Sequence, residues 1–145
     1  MAHGDYHEVP FVNNVYAPIS LYEDSAWEAY THNGHAQVKE GWAVLKANPE
    51  KYLAWVKTAE FGNINPDGDW GEGFRPSPLK MARLDSLKQG QRGKLEITVL
   101  YESQPGFFNF VNGRHRAYWL ATHQAVFVPL TVPKHQFNTF ECLFL

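Results

Sequence analysis

Phe107-Phe108-Asn109-Phe110-Val111-Asn112-Gly113-Arg114-His115-Arg116-Ala117-Tyr118-Trp119-Leu120-Ala121 reads as a short apolar strand, a sharp Asn-Gly turn and the opening of a helix. The turn delivers Arg114, His115 and Arg116 to the first helical turn. A helix start leaves backbone N–H groups without intrahelical partners and carries roughly half a positive charge from the macrodipole. Two arginines and a histidine added there suit an anion, above all a phosphate. The macrodipole opposes cations at this end, so the arginines work against local stability unless an anion joins them, and such conflicts tend to fall at functional sites. The competing interpretation is a structural strand-turn-helix whose first-turn arginines are simply solvated.

The flanking segments set this unit in an α+β chain. Leu95–Tyr101 alternates and is rich in β-formers, Ser103–Gly106 makes a turn, and Phe107–Val111 returns as the antiparallel partner. The helix runs over Gly113–His123, followed by a strand over Val126–Val132 and a further one over Phe137–Phe144. Upstream, Met81–Leu84 is expected as a short strand and Asp85–Gly93 as a polar connection with a helical turn. Within residues 8–22, Pro10 and Pro18 break the apolar pattern into short extended pieces. Ser25-Ala26-Trp27-Glu28 matches a capping box for a helix ending near Asn33-Gly34. A second helix is expected over His35–Ala47, with Val38, Trp42 and Leu45 on one face, and a third from Asn48-Pro49 through Thr58. Residues 62–78 form a long loop with Trp70 and Phe74. The expected architecture is one domain over 1–145: a mainly helical part over 1–60 and a small mixed sheet over 80–145.

Composition narrows the function classes. The 145 residues, 44% hydrophobic and 15% aromatic, suffice for a core without metal or disulfide staples. Thirteen Lys and Arg against 15 Asp and Glu give a formal net charge of −2, so nucleic-acid contact should be local rather than a broad basic coat. The single cysteine, Cys142, excludes an internal disulfide and cysteine-rich zinc modules, and reads as a buried small hydrophobe. No apolar run approaches the roughly 18 residues of a membrane span, and Met1–Asp5 lacks a charged-then-apolar leader, so a cytoplasmic protein without membrane insertion is expected.

Residues 81–132 resemble the ParB/sulfiredoxin superfamily. The matching features are a strand, then Asn112-Gly113-Arg114-His115-Arg116, then a helix with Leu120-Ala121, then a proline-bearing strand, Val128-Pro129-Leu130-Thr131-Val132. Ala82-Arg83-Leu84-Asp85-Ser86-Leu87 also resembles the family's first strand and the turn after it. Within the superfamily, Phe110–Leu120 is most similar to the plasmid fertility inhibition factors, which suppress conjugative DNA transfer. The resemblance implies a ParB/sulfiredoxin-like core and a nucleotide or polynucleotide phosphate held at Asn112, Gly113, Arg114, His115 and Arg116. It also implies a nucleoside triphosphate with Mg²⁺ as cofactor. Two departures narrow this. Arg114 stands where sulfiredoxin-like members place their reactive cysteine, so sulfinic acid reduction is not expected. Lys88-Gln89-Gly90-Gln91-Arg92 replaces the partition proteins' Glu-Asn-x-x-Arg box, and 13 residues after Val132 leave no helix-turn-helix, so centromere clamping is not expected either.

Phosphoryl chemistry needs a carboxylate to hold magnesium or activate a nucleophile. Asp85 and Glu102 are the candidates, with His115 as a third catalytic residue; Glu96, Asp67, Asp69 and Glu72 are further carboxylates. Arg83 and Arg92 can add positive charge, and Trp70 with Phe74 can stack a base or pack the loop. His32 and His35 straddle a helix break without a carboxylate cluster, a poor metal site, and no metal residue is assigned. Two functions therefore stand. In the first, the chain inhibits conjugation through a nucleotide- or single-stranded-DNA-binding pocket, with a protein partner in the transfer apparatus and NTPase or DNase activity. In the second, it is a catalytically inactive protein-binding module, such as an immunity or adaptor protein.

Overall fold

The computed structural model describes residues 3–24, 41–61, 71–90 and 95–145. Its first strands are His3–Val9 (β1) and Ile19–Asp24 (β2), an antiparallel ribbon that buries Val9, Ile19 and Leu21. Trp42–Ala47 (β3) follows, then helix Pro49–Val56 (α1) and the short strands Glu60–Phe61 (β4) and Gly71–Glu72 (β5). Helix Pro78–Leu84 (α2) precedes the hairpin Thr98–Gln104 (β6) and Phe107–Asn112 (β7). Helix Arg114–Thr122 (α3), strand Val128–Pro133 (β8) and helix Phe137–Phe144 (α4) complete the order. The fold is α+β, with a mixed six-stranded sheet ordered β3-β8-β6-β7-β4-β5 beside the two-stranded ribbon.

The middle of the sheet positions the turn after β7. Thr98 to Tyr101 of β6 and all six residues of β8 are buried, as continuous strand cores are when both faces are covered. β7 runs antiparallel to β6, α3 crosses over, and β8 returns parallel to β6 on its other side. Pro129 and Pro133 fit in β8 because pairing with β6 spans only Leu130 and Thr131; both prolines lie outside it, in register with Lys46 and Trp42 of β3. Trp55 packs edge-on to Phe61, Phe108 and Phe144, tying α1 and α4 to the sheet.

Several sequence expectations are corrected. The expected helix over His35–Ala47 ends in a strand: residues 42–47 form β3, with Leu45 and Ala47 buried at period two, because pairing with β8 outweighs the helical spacing of Trp42 and Leu45. Among the described residues up to 61 there are three strands besides β4 and only one α-helix, so that part is not mainly helical. Met81–Leu84 is helix rather than strand; Ser77 caps α2 through its side chain and Pro78 occupies the first turn. Phe137–Phe144 is also helix, since Phe137, Phe140 and Phe144 recur at helical spacing and the last two are buried. Cys142 consequently lies on the exposed face of α4 instead of in the core. The capping-box helix at Ser25, Trp27, His32, His35, Asp67, Asp69, Trp70 and Arg92 lie outside the described residues.

Tyr52 of α1 is fully buried between Trp55 and Phe144, with ring centroids 5.8 and 5.6 Å away. Its hydroxyl has no hydrogen-bond partner among the described residues, and burial pushes the phenol well above its ordinary pKa. An unpaired buried hydroxyl costs about 1–3 kcal/mol. Tyr52→Phe is therefore expected to leave stability unchanged or raise it by about 1 kcal/mol. Urea unfolding checks this, and a clear fall in the midpoint at constant slope contradicts it.

Candidate functional site

Gly113 links β7 to α3 in the left-handed conformation, with φ 75° and ψ 15°. A Cβ at this position would stand 2.7 Å from Thr98 Oγ1 and 3.1 Å from an Arg116 guanidinium nitrogen. The Gly113 carbonyl accepts from Thr98 Oγ1 at 2.8 Å and from the Ala117 N–H at 3.0 Å. Helix α3 thus starts directly on the first residue of β6. No side chain caps it and its first turn holds no acidic residue, so its leading N–H groups are left to solvent or a ligand.

An open cleft of about 380 Å³ lies at this helix start, lined by Lys80, Arg83, Leu84, Gly113, Arg114, His115 and Arg116. Lys80 and Arg83 come from α2, three residues apart and so on one helical face. Among the described residues the lining carries four basic side chains besides His115 and no carboxylate. Arg116 donates to the Glu96 carbonyl oxygen. The Nε atoms of Arg114 and Arg116 are buried without a hydrogen-bond partner among the described residues. Burial lowers the pKa of both guanidinium groups, opposed at Arg116 by the Glu96 carboxylate. Guanidinium stays charged in proteins, so the desolvation is a standing cost that an anion in the cleft relieves.

His115 behaves differently from its neighbours. Its ring is 8% exposed, and its Nε2 accepts the Ser77 backbone N–H at 3.0 Å. Burial, followed by the charges of Lys80 and Arg114, pushes the imidazole down to about 4. It is therefore neutral at pH 7 with its proton on Nδ1. The sequence suggested a cationic phosphate ligand; the ring is an uncharged acceptor with Nε2 already engaged.

The other expected catalytic residues stand elsewhere. Asp85 lies just past α2, where Oδ1 accepts the Trp119 indole N–H at 3.1 Å and stands 3.8 Å from both Lys88 and His123. Glu102 lies about 13 Å along β6 from Thr98. Its carboxylate accepts the Gly106 N–H at 2.8 Å in the hairpin turn. Neither lines the cleft, and each is committed to holding a turn or a helix. Glu96 approaches the site most closely, behind Arg116, and accepts from the Tyr22 hydroxyl at 3.4 Å. Phe74 is 6% exposed and packs against Phe110, His115 and Tyr118, so it closes the core instead of offering a base-stacking face. Of Asn112 only the backbone is described. Lys80 is the residue that sequence reading missed; the Ser77-Pro78 helix start, with Lys80 and Arg83 at helical spacing, was the signal for it.

The donor set fits phosphate oxygens. Among the described residues the lining offers no carboxylate, and no group of three His, Cys, Asp or Glu is arranged to hold a metal. Among the described residues no helix is long and apolar enough to cross a membrane. No family model matches the chain, and no curated protein or solved structure matches it.

Two outcomes follow from this geometry. Gly113→Ala forces a non-glycine residue into the left-handed region against Thr98 and is expected to cost about 1–3 kcal/mol, read by chemical denaturation. The second concerns acid. His115 titrates near 6.5 when unfolded and about 4 when folded, so between those values the unfolded chain binds a proton that the fold refuses. Its contribution is complete above the unfolded value and is lost as pH falls toward the folded one, by about 3 kcal/mol in all. In His115→Gln this component is absent. Unfolding free energies of the two proteins that run parallel from pH 6.5 to 4 contradict the assignment.

Proposed function

We propose that the cleft at the start of α3 binds phosphate groups of a nucleotide or of single-stranded DNA, and that the chain is a ParB/sulfiredoxin-like protein acting as a plasmid fertility inhibition factor. The observation that carries the phosphate reading is the convergence of Lys80, Arg83, Arg114 and Arg116 on one cleft, with no lining carboxylate among the described residues. The overall charge of −2 makes this concentration local, as expected for a defined anion site instead of a general nucleic-acid coat. The likeness of the Asn112–Arg116 turn to that superfamily supports the narrower assignment and the conjugation partner.

The chemistry favours binding over turnover. Water activation needs a base, or a carboxylate-held metal, near the phosphate, and Asp85 and Glu102 are both turned to structural hydrogen bonds. That placement favours the second function, a catalytically inactive module, for the enzymatic question alone; an anion-dependent adaptor for a protein of the transfer apparatus satisfies both.

Titration calorimetry with ATP, CTP and a single-stranded oligonucleotide tests the proposal against Arg114→Ala and Arg116→Ala. Each variant loses a charge-assisted contact and should bind about 10- to 100-fold more weakly. Oligonucleotide affinity should also fall steeply with salt. Equal affinity in wild type and both variants, or no binding by wild type, overturns the phosphate reading. Phosphate release or DNA cleavage that depends on Arg116 would establish an enzyme instead.

A further inference from the structure

Helix α2 supplies half of the cleft's charge and depends on its neighbours for its place. It has seven residues, none of them fully buried, with Met81 and Leu84 partly buried against the core, and an isolated helix of that length is unstable in water. Two side chains of α3 fasten its ends. At the start, the Ser77 N–H donates to His115 Nε2 at 3.0 Å, while the Ser77 hydroxyl accepts from the Lys80 N–H at 3.4 Å. At the end, the Trp119 indole N–H donates to Asp85 at 3.1 Å. His115 and Trp119 are four residues apart, one above the other on the same face of α3. Phe74 meets the His115 ring edge-on at 5.0 Å and anchors the segment leading into Ser77.

We infer that His115 is a positioning residue: through the Ser77 N–H it seats α2 so that Lys80 and Arg83 form the second wall of the anion cleft. The inference rests on the phosphate reading of the cleft and extends it, since it gives His115 a task beyond ligand contact and brings Lys80 and Arg83 into the ligand set. An Nε2 atom that accepts a hydrogen bond does not also donate one to a phosphate oxygen, which leaves the Nδ1–H as the ring's donor. Asp85 performs the corresponding task at the other end of α2.

The test uses inorganic pyrophosphate as probe, with calorimetric affinities for wild type, Arg116→Ala, Lys80→Ala/Arg83→Ala, His115→Gln and His115→Phe. Glutamine keeps an acceptor for the Ser77 N–H; phenylalanine keeps the ring against Phe74 and removes the acceptor. His115→Phe is expected to weaken binding by the same factor as the Lys80/Arg83 double variant, about tenfold or more. A triple variant that adds His115→Phe to Lys80→Ala/Arg83→Ala should bind no more weakly than the double, because the two changes act through one wall. His115→Gln should bind within about twofold of wild type. His115→Phe binding like wild type, or adding its full effect to the double variant, overturns the inference. If wild type binds and Arg116→Ala does not while His115→Phe is unaffected, only the positioning role falls; if wild type does not bind, the phosphate reading falls with it. A measurement on wild type alone covers the case in which His115→Phe does not fold. A through-hydrogen-bond coupling between the Ser77 amide nitrogen and His115 Nε2 is expected in the NMR spectrum, and its absence overturns the inference.

Discussion

The close approach of Gly113 to Thr98 governs the geometry of this protein. Thr98 is buried at the start of β6, and its hydroxyl and the Ala117 N–H share the Gly113 carbonyl. Only a residue without a Cβ allows the contact. Because the first turn of α3 therefore rests on the sheet, Arg116 lies where it donates to the carbonyl of Glu96, two residues before Thr98. That segment in turn pairs with Tyr22 of the ribbon, through the Tyr22 N–H to Leu95 and the Ile97 N–H to Tyr22. One missing methyl thus sets the sheet, the ribbon and the cationic helix start in a common register.

The parts of the fold legible in the sequence were those whose local signals agree with their tertiary setting. The hairpin over β6 and β7, the Asn-Gly turn and α3 carry strong periodicity and turn residues, and the structure follows them. Trp42–Ala47 satisfied both a helical and a strand pattern, and only its partner β8 decides between them. Phe137–Phe144 is a short apolar run whose helical spacing competes with its β-forming phenylalanines. Helix α2 was hidden for another reason: it buries no residue fully, its apolar face is only Met81 and Leu84, and its Ser77-Pro78 start is the main mark of it.

The site was half legible for related reasons. Cations adjacent in sequence were visible, since the turn itself brings Arg114 and Arg116 together. What the sequence hides is every property that depends on α2 meeting α3. Lys80 and Arg83 reach the cleft only because of that contact, and it also accounts for the use of Asp85 as a partner for Trp119. Glu102 looked close to the site because it directly follows the expected strand Leu95–Tyr101, yet it lies in the half of β6 away from Gly113.

The charge of His115 belongs to this same contact. Lys80 and Arg114 are among the groups that hold its imidazole neutral, and neutrality is what lets Nε2 accept from Ser77. The cations that draw in an anion therefore also preserve the bond that keeps two of them in place. A bound anion acts in the opposite sense: by offsetting Lys80 and Arg114 it raises the histidine's proton affinity. Burial, the largest cause of the depression, persists in the bound state and continues to oppose the charged form. The low starting value thus works against protonation, as the cleft fills, of the residue on which its second wall hangs. A histidine of unperturbed pKa in that position would take up a proton as the ligand arrived and would release α2 when Lys80 and Arg83 are needed.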